Sequence, residues 1–106
     1  MPKYLLEVSY TAEGAKGLQK DGGSKRRQAA EGLIKSLGGT LESFYFAFGK
    51  SDAFVVVDMP DSATVAAASI ALAASGAASG RTVVLITPEE MDQAAKKTVN
   101  YTPPGR

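Results

Sequence analysis

The chain has 106 residues and no histidine, cysteine or tryptophan. That length suits a single domain with its own core, and the missing His and Cys exclude serine–histidine and cysteine–histidine nucleophiles, zinc fingers and histidine-ligated haem. Twelve Lys and Arg against eleven Asp and Glu leave a formal charge of +1, which argues against a dedicated nucleic-acid partner.

Met1-Pro2-Lys3-Tyr4 leads directly into Leu5-Leu6-Glu7-Val8. Glu7 interrupts the apolar stretch, so this start does not read as a secretory signal. Tyr4 to Tyr10 reads as a first strand, with Tyr4, Leu6, Val8 and Tyr10 on one face and Leu5, Glu7 and Ser9 on the other. Thr11 is placed to cap a helix from Ala12 to about Lys20, with Glu13 in its first turn. Asp21-Gly22-Gly23-Ser24 interrupts that helix, because adjacent glycines are costly inside one. Ser24 is then expected to cap a second segment, in which Ala30, Leu33, Ile34 and Leu37 follow helical spacing. Gly38-Gly39 closes it with a left-handed cap.

Thr40 to Phe48 reads as the second strand, rich in aromatic residues. The turn Gly49-Lys50-Ser51-Asp52 leads to a third strand from Ala53 to Met59. Asp52 is expected to hold this turn by a local side-chain hydrogen bond. Pro60 stops the strand, and Asp61 or Ser62 caps an alanine-rich helix ending near Ala74 or Ala77. Arg81 to Ile86 reads as the fourth strand. Thr87-Pro88-Glu89-Glu90 combines a Thr cap, Pro at the first helical position and Glu at the third, and opens a short last helix to about Lys97. Glu89, Glu90 and Asp92 are explained by the helix dipole rather than by a metal. The expected organisation is one domain over residues 1–98 and an extended, proline-rich tail over 99–106.

This order predicts an α+β, ferredoxin-like βαββαβ fold, with a four-stranded antiparallel sheet and a short C-terminal helix. Two helices cover one sheet face only. Strands two to four are apolar on both faces, which predicts that a second copy covers the other, giving at least a dimer through the sheet. The uncharged run Ser62 to Gly80 is made mainly of Ala, Ser and Gly, too weakly apolar for a membrane span. The expectation is a cytoplasmic homo-oligomer without membrane or nucleic-acid partners. The small residues of the alanine-rich helix predict close packing on the sheet, with overpacking on Ala→Leu substitution.

The residues leave few candidates for chemistry. Glu7, Glu42 and Asp58 are strand acids, with the Tyr4, Tyr10 and Tyr45 hydroxyls nearby in the pattern. An acid projecting into an apolar cavity becomes a candidate general base through desolvation. Glu7 and Tyr45 are the catalytic candidates, and Tyr4, Glu7, Tyr45 and Asp58 the candidate ligand-binding set. In the preferred strand phase Glu7 and Tyr45 share the partner-facing side; in the alternative phase Phe44, Phe46, Phe48 and Glu42 point there. Ser24, Lys25, Arg26 and Arg27 at a helix start form a candidate anion site, without P-loop spacing. No metal or cofactor is expected.

Taken together, Tyr10-Thr11-Ala12-Glu13-Gly14-Ala15-Lys16-Gly17-Leu18, Lys20 to Arg27, Gly38 to Gly49, Asp52, Pro60-Asp61 and Lys96 to Val99 resemble the GYD-domain family. In the segment corresponding to the naming Gly-Tyr-Asp motif, Ser51 stands where tyrosine is common. The resemblance implies kinship with dimeric α+β barrels, a group that includes cofactor-free monooxygenases and isomerases. It therefore implies an oligomer with a ligand cavity rather than a particular activity. The leading expectation is a small organic ligand held in a barrel or inter-subunit cavity. The alternatives are a cofactor-free oxygenase or isomerase, and a purely structural assembly.

Overall fold

The computed structural model describes residues 1–106. Strand β1 (Lys3–Tyr10) is followed by helices α1 (Ala12–Asp21) and α2 (Gly23–Ser36), strands β2 (Thr40–Phe46) and β3 (Ala53–Asp58), helix α3 (Ser62–Ala74), strand β4 (Ala78–Leu85) and helix α4 (Pro88–Lys96). The four strands form one antiparallel sheet in the order β2-β3-β1-β4, as the split βαβ pattern requires. The sheet is open, and a single chain shows no barrel.

Cross-strand register assigns the faces. Leu41, Val57, Tyr4 and Val84 form one row; Phe44, Val55, Leu6 and Thr82 a second; Phe46, Ala53, Val8 and Gly80 a third. These rows face the helices, and Tyr4, Val55 and Val57 join Ile34, Met59 and Val65 in the buried core. The opposite rows are Ser43, Val56, Leu5 and Val83, then Tyr45, Phe54, Glu7 and Arg81. No element of the chain covers them. A bulge between Leu41 and Ser43 breaks the strict alternation of β2. Leu41 therefore sides with Phe44 and Phe46, whereas unbroken alternation joins it to Ser43 and Tyr45.

Local signals explain the element ends. The Thr11 hydroxyl accepts from the Gly14 N–H, and the Thr87 capping box closes with Glu90. Ser24 is not the cap of α2. That position is Gly22, at φ 82°, whose N–H still closes α1 onto the Leu18 carbonyl. One left-handed glycine thus bends the path, and α2 starts one residue beyond it. Strand β4 begins at Ala78, before the predicted Arg81, because Ala78 and Ser79 pair with Tyr10 and Ser9. The tertiary ladder overrides the weak strand propensity of Ala-Ser-Gly. Asp52 does not tie its own turn; its carboxylate accepts from the Tyr10 N–H at 2.8 Å, fastening the β2–β3 connection to the end of β1.

The isolated chain is not closely folded on itself. Its accessible surface is 7513 Å², against about 5,600 Å² for a monomeric protein of this mass. Its radius of gyration is 16.9 Å, against about 13 Å for a compact chain of this length. Helix α4 buries nothing, and every residue from Pro88 to Thr102 is exposed.

Candidate functional site

Helix α2 packs on β2 and α3 packs on β4, and the two helices leave an opening between them. Small side chains create it. Ala29 and Ala30 on α2 face Ala68 and Ser69 on α3, and the β4 floor beneath offers only Gly80 and Thr82 at the helix-facing positions. None of these reaches across. The result is a cleft of about 150 Å³ floored by Leu6, Val8 and Val55 and walled by Leu33, Phe44 and Leu72. The expected close packing of the alanine-rich helix is thus incomplete: Val65 is buried, while Ala68, Ser69 and Leu72 border open space.

The polar contribution to the cleft is one-sided. Arg26 lines it, with Tyr10, Ser69 and Thr82; Arg81 borders it from β4, where its register sets it beside Glu7 on the opposite sheet face, and no carboxylate lines the space. Arg26 is half-buried and sits at the head of the apolar stripe Arg26, Ala30, Leu33 and Ile34, where helical spacing alone asks for an apolar side chain. That misplaced charge is visible in the sequence. The cleft itself is the feature missed, because it depends on three stretches of small residues meeting.

The open sheet face carries most of the predicted ligand set. Glu7 and Tyr45 share a row there, as the preferred strand phase requires, but Phe54 stands between them. Two strand spacings separate their backbones by about 10 Å. Tyr45 is 71% exposed. Asp58 is engaged: Lys3 Nζ donates to Asp58 Oδ1 at 2.9 Å and to Glu42 Oε2 at 2.5 Å. The hydrogen bonds from Lys3 to Glu42 and then Asp58 raise the Lys3 pKa above its ordinary value. Tyr4 lies on the other face, buried in the core, with its hydroxyl 3.1 Å from Ser62 Oγ. The structure thus brings Glu7, Tyr45 and Asp58 to one face and separates Tyr4 from them; none of the four lines the cleft.

The basic quartet also divides. Consecutive helical residues point about 100° apart. Arg26 lines the cleft, Ser24 and Arg27 border a shallow hollow beside Phe44 and Phe46, and Lys25 lines neither. Asp61 is the cap of α3, accepting from both the N–H and the hydroxyl of Thr64. Those two bonds hold its carboxyl below the usual carboxylate value. Ser51, at the position where the resemblance leads one to expect tyrosine, is buried in the β2–β3 connection.

No helix is long and apolar enough to cross a membrane. Searches of curated proteins and of solved structures find no match. A family model, the GYD domain, matches residues 4–95, which spans all four strands, the kinked α1–α2 pair and α3, and so contains every wall of the cleft. The chain belongs to the GYD-domain family.

Proposed function

We propose that this GYD domain is a homo-oligomeric binding domain that holds a small organic molecule. The observation that carries the reading is the cleft between α2 and α3: its walls are apolar, its size is about 150 Å³, and small residues keep it open. An apolar space of about that volume accommodates a single aromatic ring. The absence of any lining carboxylate supports binding over acid–base catalysis at this position.

Assembly is the second half of the proposal, and the surface area supports it. The chain exposes about 1,900 Å² more than a monomer of its mass, while a standard interface takes about 800 Å² from each partner. The open sheet face suits a second copy. Leu5, Phe54, Val56 and Val83 form an apolar centre, with the Lys3–Asp58–Glu42 ion group at one end. A sheet-to-sheet pair would enclose this centre and bring Glu7 and Tyr45 of each copy to a common interior. Native mass spectrometry of the full chain, purified from its own cells, tests both halves. The expected result is a multiple of 11.0 kDa that carries extra mass released on denaturation, with dissociation on Val56→Lys. A bare 11 kDa species at micromolar concentration overturns the proposal.

A further inference from the structure

We propose that the ligand of the α2–α3 cleft is a small organic carboxylate with a body the size of one ring, held by an ion pair to Arg26; this rests on the binding reading above. Arg26 belongs to the face of α2 that lines the cleft, together with Ala29, Ala30 and Leu33. Its guanidinium takes part in neither of the chain's ion pairs, both of which belong to Lys3. A half-buried cation beside an apolar wall, with no carboxylate lining the same space, is electrostatically uncompensated.

The charge also opposes its own helix. The first turn of α2 contains no acid, and Lys25, Arg26 and Arg27 crowd the end where the dipole is already positive. A cation there costs stability unless an anion arrives. One planar guanidinium matches one carboxylate through two parallel hydrogen bonds. The Ser69 and Thr82 hydroxyls are the neutral polar groups of the same cleft. Phosphate, with its higher charge, would call for further cations; Arg81 borders the cleft but its register sets it beside Glu7 on the opposite sheet face, Arg27 borders a separate hollow, and Lys25 lines neither space. The apolar walls formed by Leu6, Leu33, Val55 and Leu72 take the ring.

Calorimetric titration of the full chain with sodium benzoate, benzyl alcohol and sodium acetate tests this assignment. Benzoate is expected to bind at least about tenfold more tightly than benzyl alcohol, the factor a charge-assisted pair confers, and acetate to bind more weakly than either. Arg26→Met should bring benzoate down to the affinity of benzyl alcohol and leave the alcohol unchanged. Arg27→Met should leave both unchanged. Equal affinity for benzoate and benzyl alcohol, or a benzoate preference that survives Arg26→Met, overturns the carboxylate assignment while leaving the cleft a neutral binding site. Acetate binding as tightly as benzoate also overturns it, marking a surface ion effect. If neither ring compound binds, the cleft reading falls with it.

Discussion

Replacing Ala68 by leucine puts three carbons into the cleft and tests whether the opening exists in solution. Ala68 lies on the cleft side of α3, one helical turn from both Val65 and Leu72. Each buried carbon contributes about 0.8 kcal/mol, so full burial of three would give about 2.4 kcal/mol. The cleft opens to solvent, and about half of that gain, near 1 kcal/mol, is expected as added stability. For a domain of this size such a gain raises Tm by roughly 4–8 °C. Ala53→Leu is the internal control: Ala53 has 0% exposure at the start of the inner strand β3, and the same three carbons there should overpack and cost about 1–3 kcal/mol. Urea unfolding at one fixed protein concentration reads both variants without a contribution from changing assembly. Opposite signs support an open cleft. A loss of more than about 1 kcal/mol for Ala68→Leu, matching Ala53→Leu, would show that α3 is fully packed and that no cleft is available.

Gly14→Ala should destabilise by at least about 1–3 kcal/mol, because an added Cβ would meet the Ala77 carbonyl oxygen of the α3–β4 connection; Gly17→Ala, with open space around it, should gain up to about 1 kcal/mol from helix propensity in the same urea experiment. Lys3 has a raised pKa in the fold, so its contribution is complete below its unfolded value and is lost as pH rises through the folded one. The stability gap between the parent and Lys3→Met should therefore narrow in strong alkali, and a gap that stays constant there contradicts the assignment. Asp61 has a lowered pKa, and its contribution is complete above the unfolded value and lost as pH falls through the folded one. The gap between the parent and Asp61→Ala should accordingly close in acid, read by thermal unfolding across a pH series.

What the sequence made legible is what local chemistry controls. Thr11, Asp61 and Thr87 cap α1, α3 and α4 through their own side chains, and each cap is a short pattern of residue types. The order of strands and helices follows from alternating periodicities, and the face of β1 follows from Tyr4, Leu6 and Val8. The bulge at Glu42 was not legible by alternation, since period-two reasoning assumes an unbroken ladder. Nor was the start of β4, where pairing with Ser9 and Tyr10 brings Ala78 and Ser79 into the sheet. The site divided along the same line. Glu7 and Tyr45 were assigned to one face because a strand has only two, and they stand there, joined by Asp58. The cleft depends on Ala30, Ala68 and Gly80 meeting across three elements, a coincidence in space with no period in the chain. Arg26 stood out in the sequence only as one of four candidate anion-site residues, and its neighbours in the cleft come from α3 and the sheet rather than from Ser24, Lys25 and Arg27.

Methyl-resolved NMR of the full chain during titration with benzyl alcohol tests most directly where a small molecule goes. The cleft predicts saturable shifts at the methyl groups of Leu6, Val8, Leu33, Val55 and Leu72, which surround it, while Leu5, Val56 and Val83 on the opposite sheet face remain in place. Shifts confined to Leu5, Val56 and Val83, or no saturable shift at any methyl group, would contradict the account.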